Sequence, residues 1–204
     1  MKRINLFIAT AVLALFSVSA FAQTEAGKFK VGTGTAFSIF SGKPSTKVSA
    51  EGNSETIKAD DAVTNIELGV DLGYFVIDNL SVGAKVGVKN ASIDGNGSTT
   101  WVIAPAATYY FNTNTAIRPF VSAEVGYASM STKSKGKKTT STTHVGGGLH
   151  YGAFGGVAYF LNSNVALTAE VGYTSNTFSK TEDKITSAAT VAGVASQIGF
   201  TICF

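Results

Sequence analysis

After residue 22 the apolar positions of this chain recur every second residue, the period of a β-strand, and nowhere with the period of a helix. Over residues 64–74, Thr64, Ile66, Leu68, Val70, Leu72 and Tyr74 share one face, while Asn65, Glu67, Gly69, Asp71 and Gly73 share the other. The same split separates Leu80, Val82, Ala84, Val86 and Val88 from Ser81, Gly83, Lys85, Gly87 and Lys89. At the end of the chain it separates Ile198, Phe200, Ile202 and Phe204 from Gln197, Gly199, Thr201 and Cys203. Three segments read alike: YFVIDNLSVGAKVGV from Tyr74, YYFNTNTAIRPFVSAEVGY from Tyr109 and AYFLNSNVALTAEVGY from Ala158. Each joins aromatic residues, a short Asp/Asn turn and an alternating strand. Between them lie long polar stretches at 41–62, 90–98, 131–143 and 175–186, which read as surface loops. Three short connections alternating with four long ones predict eight antiparallel strands with both chain ends on the short-turn side.

The face that points inward follows from what occupies it. The polar face is dominated by glycine (Gly32, Gly69, Gly73, Gly83, Gly87, Gly126, Gly148, Gly152, Gly156 and Gly172 among them). A water-facing surface has no use for that, whereas a crowded barrel interior does. Phe29 and Phe37, Trp101 and Tyr109, and Tyr151 and Tyr159 each stand eight residues apart on the apolar face. At ~3.3 Å per residue and a tilt of about 40°, that spacing rises roughly 20 Å, close to the ~25 Å apolar band that aromatic girdles flank in a membrane barrel. Lipid is therefore expected outside and polar side chains inside. A soluble ligand-binding barrel, with the apolar side inward, is the arrangement this argues against.

With that orientation the repeated AEVGY segments put Glu124 and Glu170 in the lumen. A turn over residues 77–79, with Val76 facing Leu80, sets Asp71 opposite Lys85 and Glu67 opposite Lys89, so two cross-strand ion pairs are expected there. Glu124 and Glu170 need partners too, with Arg118, Lys30 and Lys85 as candidates, because a buried unpaired charge costs several kcal/mol. His150 joins this set. The predicted lumen network is thus Glu67, Asp71, Lys85, Lys89, Arg118, Glu124, His150 and Glu170.

Composition sharpens the class. The chain of 204 residues is 45% hydrophobic but only 14% charged, against about 25% charged in an ordinary soluble domain. Lys2 and Arg3 precede the apolar run from Ile4 to Val18, and the small-residue site Ala20-Phe21-Ala22 follows. Residues 1–22 thus read as a secretory signal peptide cleaved after Ala22, leaving residues 23–204 as one barrel domain. Losing Lys2 and Arg3 lowers the formal net charge from +3 to +1, which removes any argument for nucleic acid. A single cysteine, Cys203, excludes an internal disulfide framework.

The mature chain, with GYFVIDNLSVGAKVG, YYFNTNTAIRPFVSAEVGY and a final strand ending on Phe204, resembles the small eight-stranded outer-membrane β-barrel family. That family takes in the OmpA-type membrane domain, the OmpX-type barrels and the opacity-type surface proteins. The resemblance implies an eight-stranded antiparallel up-and-down transmembrane β-barrel with short periplasmic turns and long extracellular loops, located in the bacterial outer membrane. It implies that Phe200, Ile202 and Phe204 form the C-terminal signal read by the barrel assembly machinery. With its last strand ending on Phe204, this chain is expected to depart from the OmpA type in having no cell-wall-binding domain.

Candidate chemistry is sparse. The glycines from Val145 to Gly156 lack the GxGxxG spacing and the following helix of a phosphate loop, and read as lumen-facing strand positions. His144 and His150 fall on one face but too far apart to share a metal, and no other histidine is present. Lipid A deacylases of the outer membrane use a His-x-Ser pair. Two residues beyond the histidines this chain has Gly146 and Gly152, so the nucleophile is missing. No enzyme activity, cofactor or metal is expected. Lys133, Lys135, Lys137 and Lys138 carry no interleaved aromatics, which argues against nucleic acid. They suit contact with lipopolysaccharide phosphates or another surface ligand, or simply solvation. The expected role is a monomeric structural and interaction protein whose partners are outer-membrane lipid and lipopolysaccharide. A narrow pore gated by Lys85 is the alternative, since eight strands leave room for little besides side chains.

Overall fold

The computed structural model describes residues 24–50, 53–58, 66–93, 96–113, 115–135, 140–182 and 185–204. The signal peptide expected over residues 1–22, and Lys137 and Lys138, lie outside them. The strands are β1 (Phe29–Ala50), β2 (Asn53–Lys58), β3 (Ile66–Ile77), β4 (Leu80–Ile93), β5 (Asn96–Tyr110), β6 (Ile117–Lys135), β7 (Thr140–Phe160), β8 (Val165–Glu182) and β9 (Ile185–Cys203). All pairings are antiparallel, and β1 pairs with both β3 and β9, so eight strands close a ring while β2 pairs with the outer part of β1 alone. At the seam Phe29 and Phe204 exchange two backbone hydrogen bonds, of 2.8 and 3.0 Å. Closure leaves the ring without an edge in lipid.

The alternation sorts side chains as expected. Leu68, Val70, Leu72 and Tyr74 are exposed on the outside of β3, while Gly73 and Phe75 are buried inside. Phe29, Trp101, Tyr109, Tyr151 and Tyr159 all stand on the outer face; Phe37 lies where only the backbone is described. The expected register of β3 on β4 is also found, with Asp71 opposite Lys85 and Glu67 opposite Lys89. The turn differs from expectation. Ile77 pairs with Leu80 across a two-residue Asp78-Asn79 turn, and the register shifts between Phe75 and Ile77, leaving Val76 as the extra residue. Asn79 takes φ 67°, the left-handed conformation such tight turns require and asparagine tolerates.

The polar stretches read as loops are mostly ladders. Ile93 pairs with Asn96, Lys135 with Thr140 and Glu182 with Ile185, so the long connections run outward as paired hairpins. Their Thr content explains this: β-branched threonine favours strands, and a hairpin satisfies backbone groups that a loop would leave to water. In β7 a further shift separates the pairs Met130–Gly146 and Ser131–His144, and Gly146 has φ 137°. This bulge interrupts the alternation on which placing His144 and His150 on one face depended.

Candidate functional site

The interior is layered along the barrel axis, beginning at the short turns. There the segment before β1 tucks into the mouth. Thr24 is buried, its hydroxyl donates to Asn79 Oδ1 at 2.7 Å, and its carbonyl accepts from the Asn79 N–H at 2.6 Å. The Gly27 N–H donates to the Phe75 carbonyl at 2.8 Å and the Ala26 N–H to Asp78 Oδ1 at 2.8 Å. Arg118 reaches in from β6, donates to the Thr24 hydroxyl and lies 5.2 Å from the centre of the Phe160 ring.

Above this lies an apolar layer of Phe75, Tyr110, Phe120, Ala158, Ala166 and Cys203, with Phe160 packed against it. The Tyr110 ring is 6.0 Å from that of Phe75 and 5.5 Å from that of Phe120. Glycine makes the room: a Cβ on Gly156 would lie 2.6 Å from Phe120 Cζ. These aromatics share parity with Asp71, Thr108 and Glu124, and that parity is the one sequence signal that could have turned them inward.

The charged layer follows. Lys30 Nζ sits 2.7 Å from Asp71 Oδ2 and donates to Thr108 Oγ1 at 3.3 Å. Lys85 Nζ sits 2.9 Å from Glu124 Oε2 and 5.0 Å from the centre of the Phe154 ring. His150 bridges two strands, with Nε2 3.0 Å from Glu124 Oε1 and Nδ1 2.8 Å from Asn176 Oδ1. One glutamate therefore holds a lysine on one oxygen and a histidine on the other. Two cavities of about 40 Å³ each flank this layer. The lower reaches Lys30, Tyr110, Phe120, Ser122 and Glu170, the upper reaches Glu124, His150 and Gln197, and Asp71 and Lys85 line both. Each has space for about one water.

Several expected pairings are replaced. Asp71 and Lys85 are opposite in register, yet Asp71 pairs with Lys30 and Lys85 with Glu124, because a long lysine chain reaches across a narrow lumen past its nearest neighbour. Arg118 stands two positions below Phe120, in the mouth beside Thr24, too low to meet either glutamate. Glu170 lines the lower cavity and, among the described residues, makes no hydrogen bond or ion pair, since Lys85 is held by Glu124 and Lys30 by Asp71. Glu67 and Lys89 are register partners, and only the backbone of Glu67 is described. Lys133 is exposed near the outer end of β6, Lys135 ends that strand, and Phe200 and Phe204 face outward on and just beyond β9 with Ile202 half-buried between them. Among the described residues no three His, Cys, Asp or Glu side chains cluster to hold a metal ion.

Residues 8–200 match the model of a family described as the outer membrane protein beta-barrel domain. Among solved structures, Neisserial surface protein A is similar at 21% identity and a TM-score of 0.50, over 83% of this chain and 97% of that one. Outer membrane protein OprG from Pseudomonas aeruginosa is similar at 16% identity and 0.57, over 90% and 99%. Outer membrane protein AlkL, solved by solid-state NMR in DMPC bilayers, is similar at 17% identity and 0.50, over 92% and 94%. At such identities the likeness is one of fold. A search of curated proteins returns no match.

Proposed function

The chain belongs to the outer membrane protein beta-barrel domain family, and on that premise we propose that it is a structural and interaction protein of the bacterial outer membrane, a rigid barrel with a plugged lumen that displays hairpins outside the cell. The observation that carries this reading is the filled interior. Among the described residues, an aromatic layer and a charge layer holding the Lys30–Asp71 and Lys85–Glu124 pairs fill the lumen beside two cavities of about 40 Å³ each. The paired outer hairpins are the parts free to touch a partner, and the β6–β7 hairpin with Lys133, Lys135, Lys137 and Lys138 suits lipopolysaccharide phosphates. Export removes residues 1–22, and Phe200, Ile202 and Phe204 serve recognition by the barrel assembly machinery. N-terminal analysis of the membrane-inserted protein is expected to begin at Gln23; retention of Met1 would contradict export by cleavage.

Recording from the wild-type protein in a planar bilayer tests the plug. Silence is expected, and sustained discrete openings would overturn it. A second reading, a narrow pore, is favoured by one observation: the two cavities meet at Asp71 and Lys85, so moving Lys85 would join them. No catalytic role is proposed, because His150 is occupied by Glu124 and Asn176 and is followed two residues later by Gly152. Mass analysis of lipid A from cells with and without the protein should show the same acyl pattern; a lost or gained chain would establish an enzyme.

A further inference from the structure

We infer that passage through the lumen is barred by the aromatic layer of Phe75, Tyr110 and Phe120 at the short-turn end, backed by the N-terminal segment, and not by the Lys85–Glu124 ion pair. The inference rests on the reading of the lumen as closed, and says which residues close it. The charged layer is the weaker obstacle. Water-sized space lies on both sides of it, and the residues lining both spaces are Asp71 and Lys85, the latter a long chain that can adopt many rotamers. Lys85 is also the group an ion would meet in polar surroundings, with Glu170 facing the lower cavity without a bonded partner among the described residues.

The aromatic layer differs in each respect. The lower cavity ends on Tyr110 and Phe120. Phe75, Tyr110 and Phe120 are exposed by only 0%, 2% and 5%, so the rings are closed to solvent apart from the faces of Tyr110 and Phe120 that floor the lower cavity. They stand on three different ring strands, β3, β5 and β6, and Phe120 is seated on the backbone at Gly156. An apolar constriction blocks ions by refusing them water, and it does so without any charge. Below it, residues 24–27 add a segment that precedes β1 and is latched by Asn79, Asp78, Phe75 and Arg118.

Cys203 provides a native reporter, because it is 1% exposed within this layer and is the chain's only cysteine. The experiment compares wild type, Lys85→Ala and Phe120→Ala, folded into lipid vesicles, by planar-bilayer current and by the rate at which a charged maleimide modifies Cys203. Wild type and Lys85→Ala should be silent and equally unreactive. Phe120→Ala should conduct, and its Cys203 should react about tenfold faster or more, as for a site opened locally to water. Should Phe120→Ala fail to fold, Tyr110→Ala carries the same expectation. Conduction or fast labelling in Lys85→Ala overturns the inference and makes the ion pair the barrier. A folded Phe120→Ala that neither conducts nor labels overturns it as well. Conduction by wild type instead overturns the closed-lumen reading itself.

Discussion

Glu124 is the residue on which the interior depends most, since it holds Lys85 on one oxygen and His150 on the other. Glu124→Ala leaves a lysine without its counter-charge in a narrow lumen. Removing one partner of a buried pair costs about 3–5 kcal/mol, so urea unfolding in vesicles should show a loss of that size. A loss near 1 kcal/mol would mean that Glu170 takes over. Gly172 gives a second expectation: a Cβ there would lie 2.2 Å from the Ala153 carbonyl oxygen and 2.5 Å from Phe154 Cδ1, so Gly172→Leu should destabilise by about 1–3 kcal/mol through overpacking against backbone and ring together. Phe154→Ala in the same background should recover part of that loss. The sequence made the glutamates' face legible because strand alternation is strict. It could not choose their partners, because register fixes which Cα atoms are opposite but not where four flexible methylenes carry an ammonium. The inward aromatics were hidden for a related reason, since a ring in a membrane strand reads first as a lipid contact.

At the scale of the element, the β3–β4 hairpin shows what a turn contributes. Asn79 combines φ 67° with hydrogen bonds to Thr24 and Tyr110, so its backbone and its side chain both matter. Asn79→Gly keeps the conformation and should cost about 1 kcal/mol for the lost side-chain bond. Asn79→Val should cost about 1–2 kcal/mol more, the strain of a left-handed L-residue. Equal losses would mean that the turn is not held left-handed. The register deep in this hairpin was legible from the match of Asp71 with Lys85, but the bulge at Val76 was not, because it exchanges a three-residue turn for a two-residue one without changing the register below. The long hairpins were hidden by composition, since Ser, Thr and Gly serve a loop and an exposed ladder equally well. Strand β7 carries a test of the lipid face. Gly155 lies midway between Tyr151 and Tyr159, and an added Cβ meets nothing within 4 Å. Gly155→Arg should therefore cost ~2–4 kcal/mol as a charge in mid-bilayer, and Leu161→Arg, beyond the girdle, ~0–1 kcal/mol.

For the whole molecule, the central claim is that a closed ring of eight strands turns its apolar face to lipid and its charged face inward. Everything proposed about plug, hairpins and barrier rests on that orientation. The most direct test is a spin-label scan along β6 in vesicles, in a Cys203→Ser background, reading collision with oxygen dissolved in the bilayer. Labels at Val121, Ala123 and Val125 are expected to collide readily. Those at Ser122 and Ala128 should attach poorly or report a site closed to oxygen, giving a period of two residues. Ready collision at Ser122 and Ala128, with protection at Val121, Ala123 and Val125, would mean that the barrel is inside out and would contradict the account.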